Sequence, residues 1–279
     1  MKTWFITGAS RGFGALIAQH ALAHGDNVVA TARNPQAVTE RLGQHPHLLP
    51  LALDVADEAQ AQAAAAAAVE RFGRIDVLLN NAGYGLLGAV EEATGDEVEK
   101  LYRTNVFGLL AVTRAVLPHM RARHSGRILN ISSIGGYRAG AGFGVYSSTK
   151  FAVEGLSEAL HVELAPLGIH VTVVEPGYFR TDFLDSTSLT VSPASIPDYN
   201  VTAGAVRNVA AGLNHAQPGD PQRLAQVLVE FADVPSPPVR LPLGSDTVAA
   251  IQAKHKADAE ILAQWHAVSV STDLAAEAV

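Results

Sequence analysis

No cysteine occurs anywhere in the chain. That excludes disulfides, thiolate metal sites and cysteine nucleophiles, and it fits a reducing, cytoplasmic setting. Charge is also sparse. Charged residues make up 17% of the sequence, with 20 Lys+Arg against 27 Asp+Glu and a formal net charge of -7. This balance lacks the basic surface that recruits nucleic acid or an anionic membrane, so neither is expected as a partner. No apolar run is long enough to span a bilayer. The opening Met1-Lys2-Thr3-Trp4-Phe5-Ile6 reaches glycine too soon for a signal-peptide apolar region, so none is expected. No metal is expected either. His20 and His24 share helical spacing but have no third ligand, and they precede Gly25, where a cationic helix end is favourable.

What is abundant is apolar surface: 48% of 279 residues are hydrophobic. That suits a large parallel sheet covered on both faces. Strand-like segments at 4–6, 27–31, 48–53, 75–79, 127–131 and 169–174 alternate with helix-compatible segments at 15–23, 59–72, 96–120 and 145–165. A last edge strand is expected at 239–243, where Pro242 is tolerated. Strands separated by helices imply right-handed βαβ crossovers. The expected fold is therefore α/β, a Rossmann-like doubly wound parallel sheet of about seven strands, with residues 1–279 forming a single domain. The alanine run 63–68 reads as a plain surface helix. Residues 182–219, rich in Ser, Thr and Pro at their start, read as a mobile cap over the site, and 269–279 as a frayed end.

The first strand runs into Thr7-Gly8-Ala9-Ser10-Arg11-Gly12-Phe13-Gly14. A pyrophosphate needs close backbone, free N–H groups and a positive helix terminus, and a glycine-rich strand-to-helix turn offers all three. A tight turn without a ligand would need the same glycines. The position straight after a buried strand favours cofactor binding, with Gly8, Ser10, Arg11, Gly12, Phe13 and Gly14 as candidate contacts. Binding the ribose hydroxyls of NAD calls for a carboxylate about 20 residues further on. The sequence there is Ala30-Thr31-Ala32-Arg33-Asn34, with no acid. Arg33 and Arg11 could instead clamp a 2′-phosphate, so NADP(H) is expected over NAD(H).

Tyr146 and Lys150 stand four residues apart, on one face of the expected helix. A neighbouring ammonium would stabilise phenolate and make Tyr146 a proton donor and acceptor near neutral pH. A surface pair with no chemistry has the same spacing.

These residues occur in one order with Ser132-Ser133, Asn80-Asn81-Ala82-Gly83, Asn105 and the Gly8/Gly12/Gly14 turn. Together, over about residues 2–181, they resemble the classical short-chain dehydrogenase/reductase family. The resemblance implies an oxidoreductase that interconverts a carbonyl and an alcohol, with Tyr146 as acid/base. Ser133 would hold the substrate oxygen, and Lys150 would hold the nicotinamide ribose and lower the Tyr146 pKa. Asn105 would hold a relay water. It also implies that Asp54, with Val55, meets the adenine; Asp54 reads equally as a helix cap. Asn81, Ala82 and Gly83 would line the adenosine side. Pro176, Gly177, Thr181 and, less firmly, Phe179 and Arg180 would meet the nicotinamide. Apolar cap residues (Phe183, Leu184, Leu189, Val191, Ile196, Tyr199) suit a lipophilic ketone. Packing of helices 96–120 and 145–165 against a second copy implies a homodimer or homotetramer. A non-catalytic nucleotide sensor on the same fold is the competing reading, and an intact Asn105, Ser133, Tyr146, Lys150 set argues against it. A nucleotide-sugar epimerase or dehydratase would need a longer C-terminal region.

Overall fold

In the computed structural model, residues 1–274 are described. Strand β1 (Thr3–Thr7) is fully buried and leads through the glycine turn into α1 (Gly12–Ala23). Then come β2 (Asn27–Ala32), α2 (Pro35–Leu42), β3 (Leu48–Ala52), α3 (Glu58–Phe72) and β4 (Val77–Asn80). The second half holds the short β5 (Gly85–Leu87), α4 (Gly95–Tyr102), α5 (Leu109–Arg121), β6 (Gly126–Ile131), α6 (Gly144–Leu164) and β7 (Ile169–Pro176). The chain closes with β8 (Leu189–Val191), α7 (Ala205–Leu213), α8 (Pro221–Phe231), β9 (Arg240–Leu243) and α9 (Ser245–Val270).

Seven strands form one parallel sheet in the order β3-β2-β1-β4-β6-β7-β9. Strand β1 pairs with both β2 and β4, so the winding reverses there, and a crevice opens at the carboxyl ends of these strands. Alternate residues of each strand feed two cores. Ile6, Val28, Leu79 and Leu129 pack with Leu16 and Ile17 of α1 and Leu228 of α8. Phe5, Val29, Leu78 and Ile128 face the other way, onto Ala61, Ala64, Ala65 and Ala68 of α3 and Val112 and Val116 of α5.

This second core corrects the reading of the alanine run. Residues 63–68 are not a plain surface helix: Ala64, Ala65 and Ala68 are buried, and their small side chains let α3 lie close to the sheet and to α5. Four further differences concern elements. Helix α2 went unread because its apolar content is low; Asn34 caps it by accepting from Gln36 N, and Pro35 opens it. The segment 96–120 is not one regular helix, since a π-helical turn, Arg103–Gly108, separates α4 from α5. The expected cap has structure of its own: β8 pairs in parallel with β5, and α7 follows. Helix α9 is 26 residues long and reaches Val270, inside the stretch read as frayed; residues 275–279 of that stretch lie outside the described residues. Among the described residues no helix is long and apolar enough to cross a membrane.

Candidate active site

The glycine turn is braced from beneath. Gly8 and Gly12 have φ of +67° and +53°, a region that favours glycine. A Cβ on Gly14 would lie 2.4 Å from Gly8 O and 2.6 Å from Asn81 Nδ2. Asn81 Nδ2 donates to Thr7 O (2.9 Å) and Gly8 O (3.1 Å), while Thr7 Oγ1 accepts from the backbone N–H of Asn81 and Ala82 at 2.9 and 3.0 Å. Thr7 thus ties β1 to β4 just under the turn, a role that the sequence reading missed; its one signal is a hydroxyl residue directly before the first glycine. Arg11 precedes α1 without a side-chain cap, and no acid occupies the first turn. The N–H groups there remain available to an anion, so this turn fits a pyrophosphate.

Around it, Phe13 is half-buried against Phe179, ring centroids 5.6 Å apart and edge-on, and Ser10 is half-buried. Arg33 is exposed at the end of β2 and makes no hydrogen bond or ion pair among the described residues. Arg11 points elsewhere: its Nη2 donates to Thr187 O of the cap at 2.5 Å. The expected pair of arginines is therefore divided, with Arg33 free and Arg11 engaged. Asp54 is exposed, and its carboxylate accepts from Ala56 N at 3.0 Å, but the residue that caps α3 is Asp57, which accepts from Gln60 N. Val55 is buried against Gly108.

The second half of the site gathers on α6. Tyr146 and Lys150 are 7% and 6% exposed, and the ammonium lies 5.8 Å from the phenol ring centroid. Lys150 Nζ donates to Ile131 O at 2.8 Å. Burial pulls its ammonium down to about 8, while the charge of Glu154 works the other way. Burial pushes the Tyr146 phenol well above its ordinary value; the Ser133 hydroxyl facing it opposes the rise, and Tyr178 adds to it. This departs from the expected lowering by Lys150. Removal from water outweighs the neighbouring charges here. Ser133 Oγ accepts from Gly135 N at 3.0 Å, which fixes it at the end of β6.

Asn105 is buried inside the π-helical turn. Its Oδ1 accepts from Tyr84 N (3.1 Å), and its Nδ2 donates to Tyr84 O (3.0 Å) and Thr149 Oγ1 (3.1 Å). A Cβ on Gly83 would be 3.0 Å from Asn105 Oδ1 and 3.8 Å from Lys150 Nζ. Gly83, Asn105 and Lys150 therefore share one small space. Thr149, which the residue pattern did not single out, accepts the Asn105 Nδ2 bond directly before Lys150 and so ties α6 to the π-helical turn.

At the end of β7, Pro176 is buried and Gly177 N donates to Leu243 O at 2.9 Å. Tyr178 N donates to Asp246 Oδ2 at 2.8 Å, and a Cβ on Gly177 would collide with that carboxylate, 2.2 Å away. Phe179 bridges to Gly219, and Thr181 Oγ1 accepts from Phe183 N at 3.4 Å. Phe183 then stands over Tyr146 beside Leu86 and Phe143. Of the apolar cap residues, Leu189 is buried and Val191 is exposed.

The fold has known relatives. The model of the short chain dehydrogenase family matches residues 2–191, and the chain belongs to that family. It is 41% identical over 249 residues to "Oxidoreductase BOA17" of Botryotinia fuckeliana, covering 88% of this chain and 90% of that one. It is 43% identical over 194 residues to a "3-ketodihydrosphingosine reductase" of Bacteroides thetaiotaomicron, covering 70% of each. A solved short-chain dehydrogenase from Streptomyces avermitilis superposes with a TM-score of 0.91 at 42% identity, over 98% of this chain and 99% of that one. Solved relatives with bound cofactor include a 3-ketoacyl-(acyl-carrier-protein) reductase from Brucella melitensis with NADH (TM-score 0.70, 27% identity, covering 87% and 96%) and a serine dehydrogenase with NADP+ (0.72, 29%, covering 86% and 94%). The protein is an oxidoreductase of this family.

Proposed function

We propose that the protein is an NADP(H)-dependent oxidoreductase that interconverts a lipophilic ketone or aldehyde and its alcohol, with Tyr146 as the acid/base. The observation that carries this reading is the cluster of buried Tyr146, Lys150 and Asn105 with half-buried Ser133 beneath an apolar cap, at the carboxyl end of the sheet.

The residues divide the work. Gly8, Ser10, Gly12, Phe13 and Gly14 receive the pyrophosphate, with Asp54, Val55, Asn81, Ala82 and Gly83 toward the adenosine and Pro176, Gly177, Phe179 and Thr181 toward the nicotinamide. When bound, the nicotinamide supplies or accepts the hydride. The Ser133 hydroxyl donates to the substrate oxygen and steadies the charge that develops on it. In reduction the Tyr146 Oη–H bond breaks as the new alcohol O–H bond forms, and burial keeps the phenol protonated for this step. Lys150 holds the cofactor ribose and returns the proton to Tyr146, and Asn105 holds the water that feeds Lys150. Arg33, exposed and without an ion-pair partner among the described residues, recognises the 2′-phosphate. Phe183, Phe143, Leu86 and Leu189 exclude water and favour an apolar substrate. The name of the Bacteroides relative, a reductase of a keto lipid, supports that substrate class. The chain works as a single domain with residues 182–219 as its cap, in a cytoplasmic homodimer or homotetramer.

The test is consumption of NADPH, with NADH in parallel, against ketones and aldehydes of graded apolar size, using wild type and Tyr146→Phe. Turnover that falls by about 10²–10⁴-fold in the variant, with NADPH binding retained, is expected. Tight NADPH binding without turnover of any carbonyl overturns the reading in favour of a nucleotide sensor.

A further inference from the structure

Behind the Tyr146–Lys150 face of α6 lies a buried ionic cluster that has no task in the reaction above. Glu154 follows Lys150 by one helical turn and is 4% exposed; Glu175, just before Pro176 on β7, is 1% exposed. Arg240, the first residue of β9, reaches both. Its Nη1 donates to Glu154 Oε2 and, at 2.6 Å, to Glu175 Oε1, and its Nη2 donates to Glu158 Oε1 at 2.8 Å. The guanidinium lies over the Tyr137 ring, 5.2 Å from its centroid, and the Tyr137 hydroxyl meets His255 Nε2 of α9.

Three carboxylates thus converge on one arginine. Glu158 is open to water, but Glu154 and Glu175 are not, so Arg240 neutralises only one of the two buried charges. An unmatched buried carboxylate is costly, and apolar residues in these places would hold the fold at least as well. The remaining cation close to the cluster is Lys150. Among the described residues Glu154 Oε1 and the neighbouring Ser132 Oγ have no hydrogen-bond partner of good geometry; a Cβ on Gly136 would meet them at 3.0 and 2.4 Å, and Lys150 O at 3.0 Å. The free oxygen of Glu154 therefore lies beside the helical turn that carries Lys150.

We propose that Arg240 is a positioning residue for Lys150 and acts through Glu154: by clamping Glu154 to Glu175 it keeps a charged carboxylate one helical turn from the Lys150 ammonium. The inference rests on the reading of Lys150 as the residue that holds the cofactor ribose. Lys150 is faced by Tyr146 and Glu154 from α6, by the Ile131 carbonyl from β6, and by Asn105 from the π-helical turn across Gly83. Glu154 is faced by Glu175 from β7, Arg240 from β9 and Ser132 directly after β6, with Glu158, Tyr137 and His255 reached through Arg240. Burial, with Glu175 beside it, pushes the Glu154 carboxyl up to about 7. Above neutral pH the Glu154 carboxylate is charged, and its charge favours the protonated form of Lys150. Without Arg240 one of the two buried acids keeps its own proton, and that support is lost.

The test compares wild type with Glu154→Gln, Arg240→Gln and Arg240→Lys. NADPH dissociation constants, and kcat on the best carbonyl found, are followed from about pH 6 to about pH 10, across the range where Lys150 titrates. The alkaline loss of NADPH binding and of turnover is expected to move down by about one pH unit in Glu154→Gln and Arg240→Gln, and to return toward wild type in Arg240→Lys. Folded variants whose alkaline limb stays in place, including variants weakened equally at every pH, overturn the proposal. Glu154→Gln keeps size and removes charge, so it carries the test if Arg240→Gln does not fold. A shifted binding limb with no turnover in wild type supports the positioning role and overturns only the proposed reaction. Failure of wild type to bind NADPH overturns both.

Discussion

The ring of Phe183 lies 5.6 Å from that of Tyr146, centroid to centroid, at 53° between planes. A residue of the cap is thereby in contact with the proposed proton donor, and the cap and the acid/base share one apolar wall. Phe183→Ala removes that wall while leaving the glycine turn untouched. For an apolar ketone the KM is expected to rise by about tenfold, with kcat changed less and the NADPH dissociation constant unchanged. Steady-state kinetics on a homologous ketone series checks this. A KM that stays at the wild-type value for every member would show that the substrate does not meet Phe183.

Arg33 follows β2 in solvent, without a partner among the described residues. Arg33→Glu replaces an attraction for a 2′-phosphate by a repulsion. NADPH is expected to bind about 10–100-fold more weakly, and NADH to bind as well as before or better. Fluorescence titration with both nucleotides measures the ratio; an unchanged ratio removes Arg33 from cofactor recognition.

Gly14 allows α1 to start against β1 and Asn81. In Gly14→Ala the new Cβ meets backbone at Gly8 and the Asn81 amide, which cannot both give way without moving the turn. A loss of about 2–3 kcal/mol in stability is expected, together with loss of NADPH binding. Thermal unfolding with and without NADPH separates the two effects.

Lys150 illustrates the cost of the site. In the folded protein burial holds it at about 8, below the ordinary lysine value of 10.5. Such a depressed base destabilises the fold while both states are protonated; the penalty is lifted as pH rises from the folded value to the unfolded one. Lys150→Met is therefore expected to be inactive yet more stable at neutral pH, by about 1–2 kcal/mol, with the advantage shrinking between about pH 8 and about pH 10.5. Denaturant melts across that window test the sign. A variant less stable than wild type at neutral pH would mean that the bond from Lys150 to Ile131 O outweighs desolvation.

Glu92 pins the cap. Its carboxylate accepts from Ile196 N (2.8 Å), Ala89 N (2.7 Å) and Arg207 Nη2 (2.7 Å). The backbone bond from Ile196, then that from Ala89, holds it below the ordinary carboxylate range. Its contribution is present above the unfolded value and is lost as pH falls through the lowered one. In Glu92→Gln at neutral pH, and in wild type under strong acid, amide exchange at Ile196 and Ala89 is expected to accelerate while β1 and β4 stay protected. Equal protection at Ile196 in the variant would place the anchor elsewhere.

Much of the architecture was legible because it is written in local patterns. The strand core of Phe5, Val28, Leu78 and Ile128, the glycine turn and the Tyr146/Lys150 spacing each need only neighbouring residues to be recognised. Helix α2 escaped because one buried residue, Val38, leaves almost no periodic signal. The burial of Ala64, Ala65 and Ala68 escaped because alanine is equally at home on a surface helix, and only the approach of α5 distinguishes the cases. Thr149 and Thr7 act through bonds to Asn105 and Asn81, residues 44 and 74 positions away, which no short-range rule connects.

The sequence by itself determined the parallel sheet, the place of the nucleotide turn and the family, since these depend on the order of residues along strands and turns. Tertiary structure alone decided where charge and burial act on those residues. It turned Arg11 toward Thr187, lifted the Tyr146 phenol instead of lowering it, and brought Arg240 under Glu154 across 86 positions of chain. The physical reason is that desolvation and Coulomb energies depend on distances through space, and those distances exist only once the sheet has closed.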